Sequence, residues 1–315
     1  MTGLDDSTLD RLRVVVGDLV ADSSVRATPY EVLEEIGRGG TAVIHRAHDH
    51  DLARDVALKV IAPGAANEWA ASRLLREARI LAHLEHPGIV PVHDVGTLDD
   101  GRVFAAMKLV RGRSLAALLG ETGPADHHLL VERLRLFLKI LEAVGFAHAR
   151  GVVHCDLKPA NVMVGAFGEV LVMDWGLAHA SSVAGPAEVA SVQGTPGYMA
   201  PEQERGDRAS LDARADVFAL GTILLDLLRG LGRQPALQAI AERARAAAAR
   251  DRYADVAELA AEIERFLDRE AVSAYREPLL ERLRRWYARY EVPILLLAAL
   301  CLATACAPLA PRRPA

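Results

Sequence analysis

Hydrophobic and polar residues alternate in several short stretches of the first third of the chain, which is the period of β-strands. These stretches are residues 30–33, 55–60, 90–95 and 102–109. In residues 55–60 the alternation places Ala57 and Lys59 on one face. Because a lysine on an apolar strand is unfavourable without a partner, we expect an anionic group beside Lys59.

Helical spacing of apolar residues replaces the alternation further along the chain. Helices are predicted over residues 67–84, 131–149 and 257–268. Ser114 precedes a shorter apolar stretch and is a predicted N-cap. Residues 4–25 have a similar pattern, which we interpret as an N-terminal helical arm. A docking or autoinhibitory element is the alternative, but periodicity alone carries no chemistry.

The end of the chain has a different pattern. Residues 294–310 are rich in Leu and Ala and uncharged, close to the lower limit for a helix that spans a bilayer. Several arginines and aromatic residues precede them, which is typical of a cytoplasmic boundary. Pro308 and the following Arg312 and Arg313 weaken this pattern, and a soluble apolar helix is the alternative. We predict a transmembrane helix over residues 292–311, after a basic juxtamembrane helix over residues 270–291.

Composition narrows the class of protein. The 315 residues are half apolar and one quarter charged, which favours a packed core over global disorder. The net charge of −5 argues against a nucleic-acid-binding surface over the whole chain. Three cysteines give no disulfide framework, and the acidic N-terminus lacks the apolar core of a secretory signal.

The strongest chemical signal is the stretch from His154 to Asn161, which is followed by Asp174-Trp175-Gly176. Asp156 can orient a hydroxyl group and accept its proton, and Lys158 can neutralise charge on a phosphoryl group. Asn161 and Asp174 offer the oxygen ligands that magnesium prefers. This set of groups is what phosphoryl transfer needs.

These motifs resemble those of the bacterial eukaryotic-like (Hanks-type) Ser/Thr protein kinases, over residues 30–268. The resemblance implies an α+β, bilobal fold, with a small antiparallel β lobe and a larger, mainly α-helical lobe. We therefore expect a kinase domain over residues 29–269, between the arm of residues 1–28 and the two C-terminal helices. Residues 312–315 form a short tail.

The resemblance also implies an ATP site with Mg²⁺. Its nucleotide-contacting residues would lie on the glycine-rich loop, the following strands and one helix: Ile36, Gly37, Gly39, Ile44, Ala57, Lys59, Glu77, Met107 and Val110. Met107 matches the gatekeeper position and Lys108 to Val110 the hinge. Glu77 is favoured over Glu68 as the partner of Lys59. Asp156 and Lys158 would be catalytic, and Asn161 and Asp174 would hold the metal.

Four departures from the family pattern stand out. Ala42 replaces the third loop glycine, Cys155 replaces an arginine and Trp175 replaces a phenylalanine. Because that arginine commonly pairs with a phosphorylated activation loop, we expect activity to depend less on such phosphorylation. Residues 228–249 are shorter than the family's segment, so the helix that often docks substrates is expected to be trimmed or absent.

Further residues match supporting positions. The resemblance implies that Thr195 bonds Asp156 and Lys158, that Asp216 bonds the catalytic loop backbone, and that Glu202 pairs with Arg252. Trp175 should pack as an apolar plug. Three serines of the activation segment are interpreted as solvated loop residues rather than phosphosites: Ser181, Ser182 and Ser191.

The resulting hypothesis is a membrane-anchored, single-pass Ser/Thr protein kinase with a cytoplasmic catalytic domain. Its partners would be protein substrates and the membrane, with self-association for autophosphorylation and no nucleic acid. A membrane-tethered pseudokinase scaffold is the alternative. A small-molecule phosphotransferase is disfavoured, because Lys158 and residues 194–202 resemble protein-kinase features.

Overall fold

The computed structural model describes residues 28–65, 67–121, 127–180, 194–207 and 211–283. The predicted N-terminal arm, the three activation-segment serines and the predicted transmembrane helix lie outside these residues. The chain divides into two compact units. The first contains the residues up to Ala78 and Pro91–Val110, and the second contains Arg79–Val90 and the residues from Arg111 onward.

The first unit is built on an antiparallel five-stranded sheet. Its strands are β1 (Tyr30–Arg38), β2 (Ala42–Asp49), β3 (Arg54–Ile61), β4 (Val92–Thr97) and β5 (Val103–Lys108). Their order across the sheet is β1-β2-β3-β5-β4. A core that includes Tyr30, Leu58 and Phe104 covers one face, with the rings of Tyr30 and Phe104 edge to face at 5.3 Å. The predicted strands of this region are confirmed.

Helix α1 (Glu68–His83) follows the sheet strands β1–β3. Its first turn is capped by Asn67, whose side-chain oxygen accepts the backbone N–H of Ala70 at 2.9 Å. This contact satisfies one of the donors that the start of a helix leaves without an intrahelical partner. The observed helix agrees with the prediction to within one residue at each end.

The second unit is mainly helical. Its helices are α2 (Leu115–Leu119), α3 (His127–Ala149), α4 (Pro201–Glu204), α5 (Ala213–Leu227), α6 (Pro235–Ala244) and α7 (Val256–Leu267). Its short strands are β6 (Gly112–Ser114), β7 (Val152–Val153), β8 (Val162–Gly165), β9 (Val170–Val172) and β10 (His179–Ala180). They form a β6-β8-β9 sheet and a β10-β7 pair, both antiparallel. A division into an antiparallel sheet unit and a helical unit is therefore confirmed.

Helix α3 carries much of the apolar core of the second unit. Leu134, Phe137 and Leu141 on one face are almost fully buried. Ser114 caps α2 as predicted, since its hydroxyl oxygen accepts the backbone N–H of Ala117 at 3.1 Å. The last predicted helix is confirmed as α7, which is capped in the same way by Asp255.

The short segment of residues 228–249 contains one helix, the ten-residue α6. Leu237 and Ile240 of α6 are buried. Gly221 of α5 lies directly opposite this helix: a Cβ at this position would lie 2.7 Å from the Cβ of Ala244 and 3.0 Å from the carbonyl oxygen of Ala241. The missing side chain therefore lets α6 pack closely against α5.

None of the helices within the described residues is long and apolar enough to cross a membrane.

Replacement of Gly221 by alanine should destabilise the second unit, because the added methyl group overlaps α6. We expect the Gly221→Ala variant to lose about 1–3 kcal/mol of unfolding free energy, the usual effect of overpacking. Chemical denaturation followed by circular dichroism measures this loss.

Gly145→Ala is the matched control. Gly145 lies within α3, and a Cβ there meets nothing within 4 Å. Because alanine favours the helix interior by up to about 1 kcal/mol over glycine, this variant should be unchanged or more stable. Equal stability of the two variants would contradict the close packing of α5 and α6.

Candidate active site

Lys59 of β3 is paired with Glu77 of α1 within the first unit. The ammonium nitrogen lies 2.7 and 2.8 Å from the two carboxylate oxygens of Glu77. The side chains are only 14 % and 6 % exposed, so each charge needs the other in this environment. The structure thus places the expected anionic group beside Lys59, and it selects Glu77 over Glu68.

The glycine-rich stretch forms the hairpin turn between β1 and β2. The backbone N–H of Gly39 donates to the carbonyl oxygen of Ala42 at 2.8 Å, which closes the turn. Ala42 is buried at the start of β2. The alanine therefore sits in the hairpin without distorting its hydrogen bond.

The remaining nucleotide candidates lie on neighbouring strands of the same sheet or next to it. Gly37 is paired with Ile44 across β1 and β2, and Ile44 with Lys59 across β2 and β3. Ala57 is paired with Met107 across β3 and β5, and both are buried. Two others lie at the end of β1 and just after β5: Ile36, which is half-exposed, and Val110. Contact of these residues with a nucleotide stays a prediction.

In the second unit, the buried carboxylate of Asp216 on α5 fixes the catalytic loop. It accepts the backbone N–H groups of His154 at 2.7 Å and Cys155 at 2.9 Å. His148 Nε2 lies 2.7 Å away and donates to the same carboxylate. Burial raises the pKa of Asp216, but the hydrogen bonds and charges of His148 and His154 together hold that pKa below its usual value. The predicted contact of Asp216 with the loop backbone is confirmed.

Asp156, Lys158 and Thr195 form one hydrogen-bonded group. Lys158 Nζ lies 2.8 Å from Asp156 Oδ2 and 2.7 Å from the hydroxyl oxygen of Thr195. The same hydroxyl group donates to Asp156 Oδ1 at 2.7 Å. The predicted contacts of Thr195 are confirmed, and they hold the carboxylate of Asp156 in one orientation.

The side-chain amide nitrogen of Asn161 points back towards the loop. Its Nδ2 donates to the backbone oxygen of Asp156 at 2.9 Å and also lies 3.2 Å from Asp156 Oδ2. Since the nitrogen is used in this way, the Oδ1 atom is the end of the amide that is left to face a cation. The backbone carbonyl oxygen of Asn161 accepts the backbone N–H of Met173 at 2.8 Å. This bond ties the loop to the chain just before Asp174.

Asp174 adopts a left-handed backbone conformation, with φ of 58°. For a residue other than glycine this conformation costs on the order of 1–3 kcal/mol, so its surroundings must hold it in place. Trp175 is completely buried, as predicted, and its ring centroid lies 4.5 Å from that of His154. His154 Nε2 also lies 3.0 Å from the backbone oxygen of Met173. His154 therefore holds the chain on the N-terminal side of Asp174.

Asn161 and Asp174 offer oxygen donors of the kind that magnesium takes from proteins. Within the described residues, no group of three or more His, Cys, Asp or Glu side chains could hold a metal ion. Magnesium needs no such cage, because it usually takes one or two carboxylates and completes its shell with water and substrate phosphates. One carboxylate, from Asp174, and one amide oxygen, from Asn161, suit that coordination.

The family was identified by comparison with known proteins. Residues 30–283 match the protein kinase domain family. The chain belongs to the protein kinase family. It is 38 % identical over 216 residues to the serine/threonine-protein kinase PknD of Mycobacterium tuberculosis, which is 68 % of this chain and 32 % of PknD.

Two further relatives agree with this assignment. Identity is 35 % over 219 residues to the probable serine/threonine-protein kinase PknB of Lactococcus lactis, or 69 % of this chain and 33 % of that protein. The crystal structure of the Mycobacterium tuberculosis PknI kinase domain superimposes with a TM-score of 0.57 and 29 % identity. The superposition covers 77 % of this chain and 98 % of PknI. This chain spans about a third of the length of the curated kinases that it matches.

Two residues that contact this loop have no counterpart among the sequence predictions. His148 contacts Asp216 from the last turn of α3. Gln203 is buried and donates through Nε2 to the backbone oxygen of Cys155 at 2.9 Å, while its Oε1 accepts the backbone N–H of Ala200. Their sequence signal is weak, since neither residue belongs to a motif that marks it as a contact of the loop.

Glu202 and Arg252 form the most buried ion pair among the described residues, with Arg252 Nη1 2.6 Å from Glu202 Oε1 and Nη2 2.8 Å from Oε2. Their side chains are 5 % and 0 % exposed. The predicted pair is therefore confirmed. Burial raises the pKa of Glu202, but hydrogen bonds from Arg252 and the backbone, together with the charges of Arg252 and Arg205, hold that pKa below its usual value.

Loss of the Glu202 charge should destabilise the kinase domain. We expect Glu202→Gln to reduce the unfolding free energy by about 3–5 kcal/mol at pH 7, because Arg252 is left as a buried charge without a counterion. Glu204→Gln is the control, since Glu204 lies on the same short helix and is exposed. Denaturation midpoints of the two variants measure the difference.

The same pair predicts the direction of the pH dependence. Since the pKa of Glu202 is lower in the folded protein, its contribution is complete above about pH 4.5 and is lost as the pH falls through the folded-state value. The stability gap between wild type and Glu202→Gln should therefore narrow below pH 4.5. A gap that widens in acid would show that the carboxylate is not stabilised by Arg252.

Proposed function

We propose that this chain is a Ser/Thr protein kinase that transfers the γ-phosphoryl group of ATP to Ser and Thr hydroxyl groups of proteins. The observation that carries the proposal is the hydrogen-bonded group of Asp156, Lys158 and Thr195, with Asn161 beside it. Membership of the protein kinase family and the names of its relatives support the same activity.

Asp156 is the group that accepts the proton of the substrate hydroxyl. Thr195 and Lys158 occupy its two carboxylate oxygens in the described structure, so the carboxylate is oriented before a substrate enters. Lys158 also places a positive charge next to the reacting hydroxyl, where it offsets negative charge on the transferred group. Orientation and charge neutralisation supply most of the catalysis in phosphoryl transfer.

ATP and Mg²⁺ are the proposed cofactors. When bound, the metal ion neutralises phosphate charge and orients the phosphates. Asn161 and Asp174 would hold the metal, and Lys59, oriented by Glu77, would bind phosphate oxygens. The glycine-rich turn and the paired residues Ala57 and Met107 would contact the rest of the nucleotide.

We also propose that activity depends little on phosphorylation of the activation segment. Cys155 stands where the family commonly has the arginine that pairs with a phosphorylated residue, and its side chain is buried. A buried thiol offers no positive charge to a phosphate.

Membrane anchoring is the last part of the proposal. It depends on the apolar, uncharged sequence of residues 294–310 and on the arginines and aromatic residues before it. The described chain leads to this segment through exposed Leu279, Leu280 and Leu283. The kinase domain would then face the cytoplasm, at the cell membrane, and a second copy could supply the hydroxyl groups for autophosphorylation.

Removal of the charge proposed to bind phosphate, or of the charge proposed to bind the metal, should abolish phosphoryl transfer. We expect Lys59→Met and Asp174→Asn each to reduce phosphorylation of a generic basic protein by on the order of 10³-fold or more, the scale of losing a charge-stabilising group in phosphoryl transfer. Labelled ATP and mapping of the modified residues measure this. The controls are Lys139→Met, since Lys139 only bonds the backbone oxygen of Gly168 at the surface, and Asp99→Asn in an exposed turn.

The outcomes of this assay separate the alternatives. Activity of Lys59→Met equal to wild type would refute the assigned site. Nucleotide binding by wild type without any transfer would favour the pseudokinase scaffold instead. Label on small molecules alone, with none on Ser or Thr of proteins, would favour a small-molecule phosphotransferase.

Deletion of residues 294–310 should release the kinase from membranes. We expect the truncated chain to move from the membrane pellet to the supernatant after cell fractionation, with its kinase activity retained. A chain of the same length in which residues 294–310 are scrambled in order, and equally apolar, is the control. Unchanged membrane association after the deletion would contradict the anchor.

A further inference from the structure

A cavity of about 410 Å³ adjoins the catalytic loop within the second unit. Ala116 and Leu119 of α2 and Pro159 of the loop supply an apolar part of its wall. Lys158 and Thr195, which hold the carboxylate of Asp156, also line it. The volume is sufficient for one or two amino-acid side chains. If Asp156 receives the substrate hydroxyl, as proposed above, residues next to that hydroxyl in a protein substrate come close to this cavity.

Asp226 is the only carboxylate among the described residues that line the cavity. Both of its oxygens are occupied from within the chain: the phenol of Tyr198 donates to Oδ2 at 2.6 Å, and Arg229 Nη2 lies 2.9 Å from Oδ1. Burial and the bond to Asp226 raise the pKa of Tyr198 to about 12, so the phenol stays a donor at neutral pH.

The two partners of Asp226 are held in different ways. The side chain of Asp226 is 8 % exposed, whereas that of Arg229 is 82 % exposed. The backbone of Arg229 is fixed, because its N–H donates to the backbone oxygen of Asp226 and its carbonyl oxygen accepts from Arg133. Arg229 is therefore a solvent-exposed guanidinium on a fixed backbone, covering one oxygen of a nearly buried carboxylate.

We propose that Arg229 determines substrate specificity by masking Asp226, so that the cavity does not select arginine or lysine side chains of a protein substrate. This inference rests on the proposed kinase function. A substrate arginine or lysine must displace Arg229 from Asp226. The binding energy that it gains from Asp226 is therefore reduced by the loss of the Arg229–Asp226 ion pair. Without Arg229, one oxygen of a nearly buried carboxylate would face the cavity and attract a cation.

The test compares peptide substrates rather than overall activity. We compare kcat/KM for a neutral serine peptide with kcat/KM for six variants of it. Each variant carries one arginine, at one of the three positions before or the three positions after the serine. We expect wild type to treat them alike. The Arg229→Ala variant should prefer arginine at one position by about two- to fivefold, the range that corresponds to an exposed ion pair.

Two further variants isolate the cause. Arg229→Ala combined with Asp226→Asn should lose the new preference, because the carboxylate that attracts the cation is gone. Arg250→Ala is the matched control: it also removes an exposed arginine beside a carboxylate, but lies outside the cavity. It should show the wild-type ratios. If the double variant does not fold, a citrulline peptide serves instead, since this neutral analogue should gain nothing from Arg229→Ala.

Three results would overturn the inference: no gain for Arg229→Ala at any position, a gain that persists for citrulline, or a wild-type preference for glutamate that Arg229→Ala removes. Binding of peptides with alanine in place of serine, measured by fluorescence anisotropy, separates this inference from the kinase proposal. If no variant transfers phosphate, the kinase proposal fails. Tighter binding of the arginine peptides by Arg229→Ala would still support masking by Arg229, and unchanged binding would refute it.

Discussion

The carboxylate of Asp216 binds the backbone of the catalytic loop, and most of the site geometry depends on this contact. It is nearly fully buried, and it accepts two consecutive backbone N–H groups of the loop and a histidine ring N–H. Without these contacts the loop would leave two buried donors unpaired, at about 1–3 kcal/mol each. The same contacts hold Cys155 in a left-handed conformation with φ of 65°. The path of the loop is thus fixed from α5.

A second constraint joins segments that are far apart in the sequence. The hydroxyl group of Thr195 contacts Asp156 and Lys158, which are 39 and 37 residues away. Gln203 adds a bond from α4 to the backbone of Cys155. Because several segments hold one carboxylate, its orientation does not have to be selected when a substrate arrives. Such preorganisation is where a kinase gains most of its rate.

The departures from the family pattern fall on positions that the structure uses for packing rather than chemistry. Ala42 accepts the turn hydrogen bond through its backbone, and Trp175 fills a buried site against His154. Cys155 is buried, and its backbone rather than its side chain is bound by Asp216 and Gln203. The groups that would handle phosphate, metal and hydroxyl are all retained.

Local sequence determined the elements of this protein. Strand β3, helices α1, α3 and α7, and the cap at Ser114 follow from periodicity and capping, which act over a few residues. The spacing of the motifs also predicted Asp156, Lys158 and Asn161 as site residues, and the structure joins the three by hydrogen bonds. The contact of Lys59 with Glu77 agrees with the prediction. Tertiary structure alone brought in His148 and Gln203, whose contacts span 68 and 48 residues. Periodicity shows which face of a helix is buried, but the partner of a buried polar group depends on how whole elements pack.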